Sequence, residues 1–212
     1  MADLDFFWDP VCPWAWNTSR WVVEVQAQRD YDVEWRFISL WIINENQKAE
    51  WYTPEYRAGH YVGQQVLRVA TLVRANHGNE AVGRYYTYFG EQHHAAGRRD
   101  EIRADTRAFI VEMLSALGLP TEYADHADDD SIDAELREST ELAFSRTGRD
   151  VGTPILTFRP GQPDESSFFG PVIAKAPRGA EALKLWDAIE VIATTSGVAE
   201  LKRSNRAKLD FT

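Results

Sequence analysis

The spacing of hydrophobic and polar positions changes twice along the chain and divides it into three parts. In the first part, residues 3–8 form a short apolar and aromatic run typical of a strand. Residues 13–28 repeat apolar positions at helical spacing, and residues 33–38 alternate between apolar and polar. A strand, a helix and a second strand in this order predict a βαβ unit. The chain therefore begins with one half of a small α/β structure.

The middle of the chain has a helical pattern throughout. Four stretches with helical periodicity are separated by glycine or proline, which are the usual helix breakers. They cover residues 61–76, 81–94, 101–116 and 133–146. We expect residues 54–148 to form a helical subdomain of four or five helices.

Strand patterns return in the last third of the chain. Residues 155–158 and 166–169 are short runs joined by a turn rich in proline and glycine, which predicts a β-hairpin. Residues 178–195 predict a final helix. The order βαβ, helices, ββα indicates one α/β domain, residues 1–53 and 149–212, into which the helical subdomain is inserted.

Charge and hydropathy narrow the range of partners. The formal net charge is −10, which repels phosphate and argues against a nucleic-acid partner. The sequence has no run of about 18 apolar residues, so no membrane-spanning helix and no membrane partner are expected. The first residues lack the basic, apolar and small-residue regions of a signal peptide, which predicts a cytoplasmic location.

The chain contains a single cysteine, Cys12, so no disulfide can form within it. Cys12 lies where the first strand gives way to the first helix, and unpaired backbone N–H groups at a helix start stabilise a thiolate. We therefore expect its pKa to lie below the value of about 8.5 for a free thiol. Pro13 fits the first helical turn and should keep the turn rigid, with the sulfur at the surface. The alternative is a buried core cysteine, and Asp9 is interpreted as a turn residue.

A second candidate element is the Thr153–Pro154 pair, directly before the first strand of the hairpin. A proline at this place fits either an ordinary strand edge or a cis-proline loop. In the second case the loop faces the start of the first helix and exposes the Thr153 backbone to a sulfur substrate, which can add like a strand.

Neither a metal site nor a tightly bound nucleotide is expected. The histidines do not have zinc-site spacing, and the adjacent His93 and His94 would point in different directions on a helix. The carboxylates at 128–130 are adjacent rather than alternating, which favours a helix cap over a calcium loop. No glycine-rich phosphate loop precedes a helix.

Residues 7–16, FWDPVCPWAW, resemble the active-site region of DsbA-like thioredoxin-fold proteins. The chain is more closely similar to the mycothiol-dependent nitroreductases of actinobacteria, and this similarity extends in order over almost the whole chain. It includes residues 150–154, 168–172 and 177–179. The resemblance implies an α/β thioredoxin fold with an inserted all-helical subdomain.

The resemblance also implies an oxidoreductase that uses mycothiol as thiol co-substrate and acts on small-molecule thiols and disulfides or on nitro compounds. Cys12 is the implied nucleophile, and Thr153 and a cis Pro154 are implied to orient the incoming sulfur. The other implied substrate-binding residues are Pro13, beside the thiol, and three that would line a pocket between the thioredoxin core and the helical insert: Trp14, Asn44 and Tyr56. Each of these three residues also has a purely structural alternative. Trp14 packs in the core, Asn44 caps a helix or turn, and Tyr56 packs on a helix.

The sequence departs from the family motif Cys-Pro-Trp-Cys at one position, where Ala15 replaces the resolving cysteine. Ala15 is either native to a one-thiol variant or a substitution that removes the second thiol. Without that thiol, a second small thiol must release Cys12 from a mixed disulfide. Two further alternatives are an enzyme like the kappa-class glutathione transferases and related isomerases, and a non-catalytic thiol-binding module. A homodimer is one option for the oligomeric state.

Overall fold

A computed structural model describes residues 2–212, and these residues form two compact units. The first, which we call the sheet unit, consists of three segments: the chain up to Trp8, Cys12–Arg36 and Ala143–Thr212. The second, the helical unit, consists of two: Asp9–Val11 and Phe37–Leu142. The chain thus leaves the sheet unit briefly just before Cys12 and again for more than a hundred residues.

Four strands form one sheet in the order β2-β1-β3-β4. They are β1 (Leu4–Trp8), β2 (Val33–Phe37), β3 (Ile155–Phe158) and β4 (Ser166–Phe169). β1 and β3 are antiparallel with Phe7 opposite Ile155, and β3 and β4 form the predicted hairpin with Ile155 opposite Phe169. Every residue of β1 is buried, as expected for a central strand covered on both faces.

Residues 2–212 contain seven α-helices. They are α1 (Pro13–Gln26), α2 (Leu40–Ile43), α3 (Pro54–Gly90), α4 (Arg99–Ala104), α5 (Thr106–Ala116), α6 (Asp133–Thr147) and α7 (Gly179–Thr194). In the sheet unit, α1 packs on α7 through Trp21 and Trp186, whose ring centroids are 5.1 Å apart. The indole N–H of Trp21 donates to the carbonyl of Ala182 at 2.9 Å, so these large side chains bury their polar atom with a partner. Within the described residues, no helix has the length and apolar character needed to cross a bilayer.

Helix α3 begins earlier than its apolar pattern indicates. Thr53 caps its start by accepting a hydrogen bond from the backbone N–H of Tyr56 at 3.3 Å. Residues 54–58 are exposed, so no apolar periodicity marks the first turns. The predicted break at Gly78 is present as a kink at a φ of 77°, a backbone conformation that glycine adopts without steric cost.

The predicted helix over residues 101–116 is wrong as a single element. The structure has α4 and α5 instead, interrupted at Asp105, whose φ is −148° and ψ 80°. The Asp105 carboxylate accepts from the N–H of Ala108 at 2.9 Å and caps the second helix. Because the apolar pattern continues across this cap without glycine or proline, periodicity alone does not reveal the break.

A buried polar network, here called the Arg68–Asp133 network, holds the helical unit together. Arg68 donates to both carboxylate oxygens of Asp133 at 2.7 and 2.9 Å, and Gln64 donates to the same carboxylate at 2.6 Å. Ser39 donates its hydroxyl to Gln64 at 2.6 Å, and the hydroxyl of Thr140 accepts from the Ser39 backbone at 3.1 Å. Each polar group therefore has a partner inside the unit, which removes the cost of burying it.

Candidate active site

Cys12 is the N-cap residue of α1, as the sequence predicts. Its backbone is extended, and Pro13 follows as the first helical residue, where the missing N–H of proline costs nothing. The backbone N–H of Ala15 donates to Cys12 Sγ at 3.4 Å. The sulfur therefore takes the place of the side-chain oxygen that usually caps a helix.

The loop before β3 provides the second contact of the sulfur. Cys12 Sγ–H donates to the carbonyl of Thr153 at 3.4 Å, across 141 positions of sequence. The Thr153 hydroxyl donates to the carbonyl of Phe7 at 2.9 Å, which fixes the loop to the end of β1. The Thr153–Pro154 peptide bond is cis, as expected. The structure thus brings Cys12, Ala15 and the Thr153–Pro154 loop together.

The two contacts of Cys12 suit opposite charge states of the sulfur. The N–H of Ala15 is a donor and favours the thiolate, whereas the carbonyl of Thr153 is an acceptor and binds the neutral thiol. Loss of the proton keeps the first contact and releases the second. The Thr153 carbonyl then becomes available to another donor at the moment when the sulfur becomes nucleophilic.

The expectation that the sulfur lies at the surface is wrong. Cys12 is buried, with 6% of its area exposed. The reason is the capping geometry, which turns the side chain toward the N–H of Ala15 and the carbonyl of Thr153 rather than outward. Both contacts are nevertheless with polar main-chain groups, which a cysteine that fills an apolar gap in a core lacks.

Trp14 lies beside the thiol and is half-buried. Its backbone carbonyl accepts from the Thr18 hydroxyl at 2.9 Å, and the same hydroxyl lies 2.8 Å from the carbonyl of Pro171. The guanidinium of Arg206 lies over the Trp14 ring, 5.3 Å from its centroid. Packing therefore accounts for part of the Trp14 surface, and a cation covers another part.

The end of the chain is attached to α1 near the thiol, which the sequence analysis missed. Asn17 is buried and donates to the carbonyls of Ala174 and Asp210 at 2.6 and 3.1 Å. The backbone N–H of Asp210 donates to Ala174 at 2.8 Å, and Lys175 forms an ion pair with Asp210 at 2.7 Å. The signal in the sequence is the polar run Asn17-Thr18-Ser19 inside an otherwise apolar helix.

Asn44 and Tyr56 belong to the helical unit. Asn44 ends α2 and donates its side-chain amide to the carbonyl of Leu40 at 2.8 Å, which is the capping role of the structural alternative. Tyr56 lies in the first turn of α3 with 57% of its area exposed, and its ring packs edge-on against Trp51 and His60. A role in substrate binding for either residue stays a prediction.

Asp9 is more than a turn residue. Its carboxylate is fully buried and accepts from the backbone N–H groups of Val11 and Leu40 at 2.9 and 2.7 Å. Burial raises the pKa of Asp9 to about 7, against the opposing effect of these two hydrogen bonds. A Cβ atom at Gly63 would lie 3.1 Å from the Asp9 carboxylate, so a larger residue there would crowd it.

A buried histidine pair holds the same loop of the helical unit from the other side. His94 Nε2 lies 2.8 Å from the carbonyl of Pro10, and His93 Nδ1 lies 3.4 Å from His94 Nδ1. Burial lowers the pKa of His94 to about 4, so the ring is neutral at neutral pH. A neutral His94 donates its Nε2–H to Pro10 and accepts from His93 through Nδ1. Asp9 and His94 together fix the residues that directly precede Cys12 in the sequence.

A cysteine that caps a helix and contacts the loop before a central strand is the arrangement expected of a thiol oxidoreductase of the thioredoxin fold. The chain matches the Rv2466c-like family, described as mycothiol-dependent nitroreductase Rv2466c, over residues 11–203, and it belongs to that family. It is accordingly an oxidoreductase enzyme with a DsbA-like fold, and the non-catalytic alternative is set aside.

Known relatives and structures agree with this assignment. The uncharacterized protein Rv2286c of Mycobacterium tuberculosis is 31% identical over 206 residues, covering 96% of this chain and 82% of the relative. The cytosolic disulfide reductase DsbM from Pseudomonas aeruginosa has a TM-score of 0.58 and 16% identity, covering 89% of this chain and 98% of that one. DsbM solved with GSH has a TM-score of 0.52 at 16% identity, covering 78% and 88% of the two chains. At this identity the structural likeness concerns the fold.

Proposed function

We propose that this protein is a cytoplasmic thiol–disulfide oxidoreductase that uses mycothiol and acts through Cys12 alone. The observation that carries the proposal is the position of Cys12 Sγ, which is 3.4 Å from both the Ala15 amide and the Thr153 carbonyl. The family description supports mycothiol as the small thiol. DsbM, which was solved with GSH and is described as cytosolic, supports a small-thiol partner and the location.

The exchange step follows from the two contacts of the sulfur. The Cys12 thiolate attacks one sulfur of a disulfide, a new bond to Sγ forms, and the other sulfur leaves as a thiolate that takes a proton from water. A mycothiol thiolate then attacks the mixed disulfide and releases Cys12 as a thiolate. The N–H of Ala15 stabilises the sulfur anion at the start and at the end of this cycle.

Release by a second small thiol is required because the chain has one cysteine. Reduction of a nitro compound uses the same pair of thiols. The Cys12 thiol and a mycothiol thiol form a mixed disulfide, and the nitro group takes two electrons and two protons and loses one oxygen as water. The family description supports this second activity.

The predicted substrate-binding residues are part of the proposal. Pro13 and Trp14 directly follow Cys12 in the sequence, and the half-buried Trp14 offers its ring for stacking on a substrate. The Thr153–Pro154 loop presents its backbone to the incoming sulfur. Tyr56 is exposed, and its hydroxyl can donate to a thiol conjugate or a nitro group. Asn44 is proposed to bind the same groups, although its side-chain amide donates to Leu40 at the end of α2.

Intact mass spectrometry after incubation with oxidised mycothiol tests the proposal. The wild-type protein should gain the mass of one mycothiol on Cys12. Cys12→Ala should form no adduct, because no other thiol is present in the chain. Ala15→Cys is the gain-of-function partner. It should form the adduct and then lose it, leaving a protein lighter by two hydrogens as its second thiol displaces mycothiol.

One control variant and one contrary outcome complete the experiment. Ala15→Ser has nearly the size of cysteine but no thiol, and it should keep the stable adduct of the wild type. Tight mycothiol binding without any covalent adduct in the wild type would reject disulfide exchange and favour activation of a bound thiol, as in the kappa-class alternative.

A further inference from the structure

The last part of the chain, residues 200–212, is here called the C-terminal segment. It has no helix or strand, and residues 200–208 are exposed. Four of its residues are basic, although the whole chain carries a net charge of −10. They are Lys202, Arg203, Arg206 and Lys208. With Glu200 and Asp210 as its two acidic residues, the segment is basic on balance within an acidic protein.

The C-terminal segment is fastened to the sheet unit near its end. Asn17, with 1% of its area exposed, donates to the carbonyl of Asp210, and Asp210 in turn donates its N–H to Ala174. Lys175 holds the Asp210 carboxylate at 2.7 Å. The anchor at Asp210 lies four residues after Arg206, so Arg206 belongs to a segment that is attached to the sheet unit.

Arg206 contacts the first turn of α1, the helix that Cys12 caps. Its guanidinium covers the ring of Trp14, two positions after Cys12 and directly before Ala15, whose amide contacts the sulfur. Among residues 2–212, Arg206 has no carboxylate at ion-pair distance, in contrast to Lys202, which lies 3.6 Å from Glu200. An arginine stacked on an indole keeps the N–H groups at its edge available to an anion.

We propose that Arg206 is a specificity-determining residue that favours disulfide substrates carrying a carboxylate close to the reacting sulfur. A guanidinium binds a carboxylate through two parallel hydrogen bonds, and the Arg206 guanidinium lies over the ring of Trp14, two residues after Cys12. The proposal rests on disulfide exchange at Cys12 and adds the charge of the preferred substrate. It makes the C-terminal segment one wall of the site.

Two symmetrical disulfides of similar size provide the test: those of mercaptoethanol, which is neutral, and of mercaptopropionate, which carries a carboxylate. The rate of mixed-disulfide formation on Cys12 is measured by intact mass for both disulfides. Each rate is then divided by the rate at which the same disulfide reacts with a small free thiol, which removes the difference in intrinsic reactivity. The wild type should favour the carboxylate disulfide, and salt should weaken the preference. Arg206→Glu should lower the preference about tenfold, and Arg206→Lys should have a smaller effect.

Arg203→Glu is the matched control, since it makes the same charge change in the same segment three positions away. It should leave the preference within about twofold of the wild type. Equal losses in Arg206→Glu and Arg203→Glu would overturn the proposal, because they would reveal only the general field of the segment. An equal slowing of both disulfides by Arg206→Glu would also overturn it, in favour of a structural role. A wild type that forms no mixed disulfide with either reagent would reject the chemistry at Cys12 itself.

Discussion

The surroundings of Cys12 and the Arg68–Asp133 network bury polar groups by different means. Two partners of Cys12 are neutral main-chain groups, the Ala15 amide and the Thr153 carbonyl. In the helical unit a guanidinium with 4% of its side chain exposed is paired with a carboxylate. A neutral hydrogen bond contributes about 1 kcal/mol, whereas breaking a buried ion pair costs about 3–5 kcal/mol.

The difference suits the two tasks. A reactive sulfur gains and loses charge during each cycle, and these two main-chain groups suit its two states, the Ala15 amide the anion and the Thr153 carbonyl the neutral thiol. A helical unit with a very long helix needs a specific register instead, and a charged pair with few geometric alternatives provides it. Three substitutions test this contrast, beginning with the largest expected effect.

Arg68→Met should lower the free energy of unfolding by about 3 kcal/mol, because the largely buried Asp133 carboxylate loses its charged partner while it keeps the hydrogen bond from Gln64. Urea unfolding at neutral pH measures the loss. Arg107→Met is the control, since the Arg107–Asp125 pair is exposed and screened by solvent, and its loss should leave stability near that of the wild type. Equal costs for the two variants would remove the contrast between the charged network and the rest of the molecule.

Asp9 belongs to the helical unit but has neutral main-chain partners. Its substitution is expected to change the unfolding free energy by an intermediate amount. Its pKa is about 7 when folded, against an ordinary value of 3.8. The folded state therefore binds more protons than the unfolded state between these values. The stabilisation from neutral Asp9 is complete below about pH 4 and is lost as the pH rises to about 7.

Asp9→Asn cannot ionise and should lack this dependence. From pH 5 to pH 8 the wild type should lose about 2 kcal/mol of unfolding free energy through the ionisation of Asp9. Asp9→Asn should not show this loss, so the difference between the two proteins should shift by that amount in favour of the variant. Urea unfolding at several pH values measures the difference. Asp100→Asn changes an exposed carboxylate and should run parallel to the wild type. A constant gap between Asp9→Asn and the wild type would mean that the Asp9 carboxyl does not titrate in this range.

Asn17→Ala should have the smallest effect on stability, about 1 kcal/mol, because it removes neutral hydrogen bonds. It should also release the C-terminal segment, so that trypsin cleaves after its basic residues several times faster. Asn76→Ala removes an exposed bond of the same kind, to Leu72, and should leave both quantities near the wild-type values. Unchanged trypsin cleavage in Asn17→Ala would show that Asn17 is not the anchor.

The fold was predictable wherever burial follows a regular period. Strand β2 alternates between buried and half-buried positions, so its period is visible in the sequence. The strands of the hairpin do not alternate in burial, and short runs joined by a turn predicted them instead. The first turns of α3 are exposed and have no such period. The cap at Asp105 interrupts the backbone without interrupting the apolar pattern, so its position was not predictable.

The residues of the candidate site also fall into a group that was predictable from the sequence and a group that was not. Cys12 at a helix start and Thr153–Pro154 before a strand are local signals, and the sequence analysis found both. The contacts of His94 with Pro10 and of Asn17 with Asp210 join residues 84 and 193 positions apart. The raised pKa of Asp9 depends on burial by distant parts of the chain. A periodic pattern carries no information about such partners, and only the folded structure provides it.

The main-chain origin of both sulfur contacts has a consequence for how such enzymes diverge. The amide at position 15 and the carbonyl at position 153 persist whatever side chains these positions carry. A lineage can therefore lose or regain the resolving cysteine in a single substitution and keep the attacking cysteine in its surroundings. One-thiol and two-thiol catalysts are in this sense neighbours in sequence space, separated by how the cycle ends and not by how it begins.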